Sequence, residues 1–380
     1  MILFILTFFT VYGGVHVYAF LRARSVLGFG AGAGALFAAF LFCMTVAPFL
    51  IRAVERYGLD LLARCLSYVA YLWMAVLFLF FVSSLAIDVV NGMLRIAGWL
   101  AHTGLPLVSS RHSFFLCLGF SLIICVYGYF DARNIRTERL TIETTKLPVG
   151  IERLTIVQIS DVHLGMIIRS ARLKTILDRV KAENPDILVS TGDLIDAQIN
   201  HLTGLADLFR EVMPKYGKFA VTGNHEFYAG LEQARKFTED SGFTLLRNQV
   251  RSDGPINIAG IDDPTGVQLK LNRPAPENEL LAGLPREKFT LLLKHQPRVA
   301  SESTGLFDLQ LSGHTHNGQI YPFTWVSSLV YPLQAGRYDL ANHSLLYVSR
   351  GTGTWGPPIR FLASPQITVI ELVRHKPLQT

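Results

Sequence analysis

Polar and apolar positions change rhythm near residue 130. Before it lie four uncharged stretches of at least 18 residues, Met1–Leu21, Ser25–Ile51, Cys65–Ile87 and His112–Phe130. About 20 apolar residues in a helix cross the roughly 30 Å hydrocarbon layer of a bilayer. The pattern therefore predicts four transmembrane helices over 1–21, 25–51, 65–87 and 112–130. A soluble helical bundle would need a polar outer face, and these runs leave none. Met1–Leu21 lacks a basic leading segment and is followed by another span, so it reads as an anchor and not a cleaved signal. Gly28, Gly30, Gly32 and Gly34 alternate with Phe and Ala, small residues expected to let helix backbones approach in lipid.

From Leu154 onward short apolar runs end in Gly, Asp, Asn or His. They predict strands over Leu154–Ile159, Asp186–Ser190, Lys218–Val221, Asn257–Ile261, Phe289–Leu293, Leu309–Leu311, Leu345–Val348 and Ile367–Leu372. Ala171–Ala182 and Leu231–Asp240 carry helical spacing. Strands alternating with helices, then strands joined by turns, predict an α/β domain over 151–380 built as a mixed sheet sandwich covered by helices. Residues 131–150, with Arg133, Arg136 and Arg139, read as a charged juxtamembrane connector.

Composition sharpens this division. Over the 380 residues only 17% are charged, against about 25% in ordinary soluble domains. Met1–Phe130 holds 7 Arg and 3 acidic residues, and all ten lysines lie at or after Lys146. The net charge of +6 splits into +4 before residue 131 and +2 after it, which argues for contact near a membrane and against a nucleic-acid surface. With four spans, seven Lys/Arg flank one side and four the other; the bias predicts a multi-pass protein whose domain over 151–380 is cytoplasmic. Nothing in the chain bears on oligomeric state. All four cysteines fall within the spans, where Cys acts as a small apolar residue.

Candidate chemistry sits just after the predicted strands, where open α/β sheets bind ligands. Asp161-Val162-His163 follows the first strand, its two polar side chains expected on one face of an extended chain. Gly192-Asp193-Leu194-Ile195-Asp196 follows the second and Gly223-Asn224-His225-Glu226 the third, while Lys294-His295 and Gly313-His314-Thr315-His316 follow later ones. Each alone is an ordinary turn or helix cap. Together they bring two Asp, one Asn and four His, in order, to strand ends. Mixed imidazole and carboxylate donors suit Zn, Fe or Mn more than Mg or Ca. Seven ligands exceed one tetrahedral ion, and two metals sharing a carboxylate would use them all. Such a pair attracts anionic phosphoesters and supplies a nucleophile by acidifying bound water.

These motifs, in this order over about Leu154–Leu372, resemble the calcineurin-like metallophosphoesterase family. The resemblance implies a four-layer αββα sandwich, here preceded by four transmembrane α-helices. It implies two divalent ions, with manganese favoured over iron or zinc. Asp161, His163 and His316 would bind the first, Asp193 would bridge, and Asn224, His295 and His314 would bind the second. A metal-bridging hydroxide would attack phosphorus, with His225 as general acid oriented by Asp196. Glu226 is left between a structural and a functional role.

The tail, from His316-Asn317-Gly318-Gln319-Ile320 to Ser349 through Arg360, is similar to a membrane-associated branch that includes UDP-2,3-diacylglucosamine pyrophosphatases of lipid metabolism. It suggests a lipid-linked phosphodiester or pyrophosphate as substrate. Tyr321–Tyr331, with no charge, reads either as an apolar lip that holds an acyl chain or dips into the membrane interface, where Trp and Tyr are favoured, or as a buried strand pair. Arg350 and Arg360 are candidates to grip a second phosphate bidentately. Two alternatives are a phosphodiesterase for soluble substrates that uses the spans only as anchor, and a membrane transport or sensor protein with a regulatory metal domain.

Overall fold

The computed structural model describes residues 2–196, 202, 204–273 and 276–375, with side chains from residue 6 onward. His201 and the last five residues of the expected catalytic segment lie outside the described residues. The chain divides into two compact units, Met1–Phe130 with Gly356–Ile359, and Asp131–Trp355 with Arg360–Thr380.

The first unit is helical: α1 (Ile2–Leu27), α2 (Ala31–Arg56), α3 (Asp60–Leu100) and α4 (Ser110–Asp131). Among the described residues three of these helices, α2, α3 and α4, are long and apolar enough to cross a membrane, against the four spans expected. At 1.5 Å per residue the 41-residue α3 is about 60 Å long. It runs well past the expected span Cys65–Ile87, through Asp88 and Arg95. Asp88 is held there by Arg22 at 3.1 Å and by the Tyr18 hydroxyl at 2.8 Å, and Arg22 also donates to Ser113 at 3.0 Å, which joins α1, α3 and α4.

Of the four glycines only Gly34 lies against a neighbouring helix, a Cβ there falling 3.4 Å from Phe29 and 4.0 Å from Phe20 of α1. Gly28 has φ +62° and lies with Gly30 in the break between α1 and α2, and a Cβ at Gly28, Gly30 or Gly32 would meet nothing within 4 Å. The close approach falls instead to Ala47, Ala63, Ser67 and Ala70, all buried on α2 and α3.

The second unit begins with β1 (Arg136–Thr144), β2 (Arg153–Ile159), α5 (Ser170–Ala182), β3 (Ile187–Ser190), α6 (Leu205–Arg210), β4 (Lys218–Ala220), α7 (Asn224–Ala229), α8 (Leu231–Asp240) and β5 (Thr244–Leu245). It continues with β6 (Gln249–Arg251), β7 (Asn257–Ile261), α9 (Thr265–Gln268), α10 (Glu277–Ala282), β8 (Thr290–Lys294), β9 (Leu309–Ser312), α11 (Phe323–Ser328), β10 (Gly336–Asp339), β11 (Leu345–Val348) and β12 (Gln366–Arg374). Two six-stranded sheets result, in the orders β1-β12-β2-β3-β4-β5 and β10-β11-β9-β8-β7-β6.

Alternation along the strands builds the layers. Leu154 and Ile156 of β2, with Ile187 and Val189 of β3, face Ile258, Leu291, Leu293, Leu309 and Leu311 of the other sheet. Their neighbours Val157, Ile159 and Leu188 face outward onto Leu173, Ile176, Leu177 and Val180 of α5 and Phe237 of α8. Those four α5 positions recur at i, i+3, i+4 and i+7, the apolar stripe of a surface helix. Leu281 of α10 covers Ala259 and Leu292 on the far side of the second sheet. The mixed four-layer sandwich is thus the observed fold. One expectation changes: within the 131–150 connector, Arg136–Thr144 is β1, paired in parallel with β12 from Arg136 opposite Gln366 to Thr144 opposite Arg374. Its charges suit a sheet edge, where they discourage pairing with another chain, and its Leu140 is buried between the sheets.

Candidate metal centre

Every signature leaves the carboxyl end of a strand, β2, β3 and β4 from one sheet and β8 and β9 from the other. The backbone turns sharply there. Asp161, His163, Asp193, His314 and His316 all have positive φ, between +50° and +73°, a region that costs a non-glycine residue about 1–3 kcal/mol and persists where surrounding structure enforces it. Asp161 and His163 therefore share one side because both turn through left-handed conformations, and not because the chain is extended. Hydrogen bonds from Asp161 N–H to Gly192 O and from His163 N–H to Asp193 O, both 3.0 Å, lock the first two loops together. A Cβ at Gly223 or Gly313 would collide with the carboxylates of Asp193 and Asp161 respectively, so both positions require glycine.

The ligand atoms of Asp161, His163 and His316 lie within 4.8 Å of one another, as do those of Asp193, His295 and His314. Asp193 stands between the groups, its Oδ2 3.8 Å from His163 Nε2 and 3.2 Å from His295 Nε2. Asn224 Oδ1 is 3.2 Å from the same His295 nitrogen. All seven expected ligands are thus brought together.

The donor set fits divalent ions. Imidazole nitrogens face each other at 3.1 Å between His163 and His316 and at 3.0 Å between His314 and His295. His295 donates from Nδ1 to Thr191 O at 2.8 Å, which turns Nε2 inward, the partner that commonly fixes a ligating imidazole. His163 Nδ1, buried, has no hydrogen-bond partner among the described residues. Burial, then repulsion from neighbouring imidazoles, pushes His163 down to about 4 and His314 to about 3; His316 falls well below its usual value through burial and the Arg360 cation. All three are therefore neutral near pH 7, the ligating form. Burial favours the protonated form of Asp193, but His295 and His225 outweigh it and hold the carboxyl well below its usual range.

His225 lies beside this cluster, its ring edge-on to His163 at 4.6 Å and its backbone N–H donating to Asp193 Oδ1 at 2.9 Å. Its Nδ1 meets Asp196 Oδ1 at 2.9 Å. Burial would lower its pKa, yet the charges of Asp193 and Asp196 raise it to about 9.

Glu226 has a clear structural task. Its carboxylate accepts the backbone N–H of Gly223 at 2.6 Å, Asp193 at 3.0 Å, Leu194 at 2.8 Å and Ile195 at 3.3 Å, tying the loops after β3 and β4. A Glu at the third position of a helix that reaches back to the residue before it is a recognisable cap, and that spacing from Gly223 was the available signal.

The two arginines are engaged by the protein itself. Arg360 is fully buried; it donates to Gly353 O, Arg350 O, Ala363 O and His316 O, and its Nη2 lies 2.9 Å from His316 Nδ1. Arg350 pairs with Glu138 at 2.5 Å and donates to Ser364 O at 3.2 Å. Desolvation is tolerable for a guanidinium only when its donors are used, and here the protein itself uses them. Nor does 321–331 form a buried strand pair: Phe323–Ser328 is the short helix α11, none of whose residues is buried.

A family model described as calcineurin-like phosphoesterase matches residues 154–318. The chain is 38% identical over 254 residues to an uncharacterized metallophosphoesterase of Aquifex aeolicus, covering 66% of this chain and 97% of that protein. It belongs to the calcineurin-like metallophosphoesterase family. A metallophosphoesterase of Campylobacter jejuni, also uncharacterized, is 33% identical, with 67% of this chain and 69% of that one covered. A transmembrane protein with metallophosphoesterase domain from Danio rerio is 33% identical over 68% of this chain, which spans 62% of that relative's length. As a metallophosphoesterase the chain is a hydrolase of phosphoester bonds, with clustered metal-binding groups and membrane-capable helices.

Proposed function

We propose that the protein is a multi-pass, membrane-anchored, binuclear metal-dependent hydrolase of a phosphodiester or pyrophosphate, acting on a lipid-linked substrate. The observation that carries the reading is the buried Asp193 carboxylate between two groups of ligands, 3.8 Å from His163 on one side and 3.2 Å from His295 on the other. Asp161, His163 and His316 would hold one ion, Asn224, His295 and His314 the second, and Asp193 would be shared by both, with manganese the favoured ion. Bound there, two divalent ions would supply positive charge to phosphoryl oxygens and lower the pKa of a water toward neutrality.

The remaining work falls to side chains. His225 protonates the leaving oxygen, and Asp196 holds its Nδ1 so that Nε2 is directed at the substrate. The raised pKa of His225 keeps it protonated near neutrality, as an acid must be. Glu226 keeps Asp193 and His225 in register through the four backbone N–H groups it binds.

The lipid-linked reading is supported by the apolar helices of the first unit and by exposed apolar groups on α11. With the four spans expected from the sequence, the Lys/Arg bias of seven to four favours a cytoplasmic catalytic unit. A transport role is disfavoured because His16, Arg22 and Asp88 of the helical unit are engaged within it. His16 donates from Nδ1 to Tyr12 O at 2.8 Å and accepts from Trp73 Nε1 at 2.9 Å, and Arg22 is engaged with Asp88. The test is to assay full-length, detergent-purified, manganese-loaded protein against phospholipids, lipid-linked pyrophosphates and soluble diesters. A kcat/KM highest for a lipid phosphoester supports the reading. Turnover of soluble diesters alone would reduce the spans to a location signal.

A further inference from the structure

From Tyr321 to Ala335 the chain carries no charge, and where such a segment would ordinarily be buried it stands out from the surface. Trp325 is 65% exposed, Leu329 85% and Val330 61%, with Phe323 and Val326 also exposed. A contiguous exposed apolar patch on an otherwise well-packed domain marks an interaction surface. This one is built onto the metal centre. α11 follows His316 after six residues, Tyr331 at its far end packs edge-on against the His314 ring at 4.7 Å, and the Thr324 hydroxyl donates to Asn317 O at 2.8 Å. Gln319, between His316 and α11, binds the backbone of Trp355 twice, at 2.8 and 2.9 Å. Trp355 is itself exposed and lies 6.0 Å from the His225 ring. Apolar groups therefore rise beside both the ligand cluster and the acid.

The chemistry of the patch selects its occupant. Trp and Tyr among aliphatic residues are what proteins place at a membrane interface, where the ring is apolar and its polar atom stays wet. The exposed guanidinium of Arg298 stands 5.3 Å from the Tyr331 ring centroid, a cation at the patch edge where headgroup phosphates would meet it. The chain also brings a bilayer within reach. α4, a candidate span, ends at Asp131 and β1 starts at Arg136. Five residue steps extend at most about 18 Å, comparable to the radius of gyration of about 18 Å expected for a unit of this size.

We propose that α11 and Leu329–Val330 insert into the interface of the bilayer that holds the protein's own helices, with Arg298 on the headgroups, so that the metal centre opens toward lipid. The inference rests on the lipid-linked reading above. Docked in this way, the site receives a phosphoester at headgroup depth without its acyl chains crossing water, and Tyr331 and Trp355 line the passage to the ligands.

Depth is measured directly. Full-length protein with Cys43, Cys65, Cys117 and Cys125 replaced by Ala carries a single environment-sensitive fluorophore at Leu329→Cys or, as control, at the exposed Met213→Cys, and is reconstituted into phosphatidylcholine vesicles with or without phosphatidylglycerol. The expected result is blue-shifted emission at 329, quenched by nitroxide lipids and protected from aqueous iodide, with the opposite at 213. Iodide quenching at 329 equal to that at 213 overturns the proposal. In a second measurement, Leu329→Asp with Val330→Asp should lower the rate on a vesicle-borne phosphoester, relative to a soluble chromogenic diester, on the order of 10-fold or more; an unchanged ratio counts against docking. The two readings separate cleanly. A lipid-buried 329 in an enzyme that turns over only soluble diesters supports docking and removes the lipid substrate, whereas turnover of lipid phosphoesters with 329 in water keeps the substrate and removes the docking.

Discussion

The Nδ1 atom of His225 lies 2.9 Å from Oδ1 of Asp196, in a contact where the histidine is buried and the carboxylate is half-buried. The pair couples the loop after β3 to the first turn of α7. It also leaves only Nε2 of His225 to meet a substrate. His225→Ala should keep its metal while hydrolysis slows on the order of 10²–10⁴-fold, more for alkyl leaving groups than for p-nitrophenolate, which departs without a proton. Equal losses on both would remove His225 from the acid role. Asp196→Asn should give a smaller loss in kcat with little change in KM.

Glu226 is a stability prediction. Removing its carboxylate in Glu226→Ala leaves four buried N–H groups without their acceptor, and hydrogen bonds to a charged group contribute about 1.5–3 kcal/mol each before compensation. A loss on the order of 3 kcal/mol or more is expected. That corresponds to a fall in Tm of about 6–12 °C for a unit of this size, with reduced metal content because Asp193 loses its backbone anchor. Differential scanning fluorimetry with elemental analysis checks it; an unchanged Tm would contradict the account of the two loops.

Arg350 and Arg360 separate internal from substrate-facing cations. Arg360→Met should destabilise the protein and weaken metal binding through His316, since a buried hub of carbonyl contacts is lost. Arg350→Ala should leave KM for a diester or pyrophosphate within about 2-fold, because its partners are Glu138 and Ser364 and a half-exposed pair contributes at most about 1 kcal/mol. A large rise in KM with unchanged kcat would return Arg350 to the substrate.

The helical unit makes a prediction of its own. Ala47 and Ala70 are buried at the approach of α2 and α3, and lipid supplies no hydrophobic drive between helices, so close packing carries their association. Ala70→Leu should lower the thermal stability of the detergent-purified protein, whereas the same change at Gly32, where a Cβ meets nothing within 4 Å, should have little effect. Equal effects would contradict the assignment of the contact to alanine.

The metal ligands were legible because strand ends announce themselves: an apolar run such as Leu154–Ile159 stops at Ser160, and the next residues are Asp and His. What the sequence withheld was conformation. The spacing of Asp161 and His163 suits an extended chain as well as two left-handed turns, and only packing against the loop of Asp193 decides between them. β1 was hidden for a related reason, since Arg136 and Glu138 mark solvent exposure, while the hydrogen bonds that make the segment a strand come from β12, more than two hundred residues away. Arg350 and Arg360 look like any surface cations until their carbonyl and carboxylate partners are known. The aromatic and β-branched composition of 321–331 favours strands, yet Phe323–Ser328 forms a short exposed helix.

The central claim is a pair of metal ions bridged by Asp193, and metal stoichiometry read together with turnover tests it most directly. Purified full-length protein, stripped with chelator and reloaded with manganese, should bind two ions per chain as it recovers hydrolysis of a phosphodiester, and Asp193→Ala should lose both. One ion per chain at full activity, or an Asp193→Ala protein with normal metal content and normal rate, would contradict it.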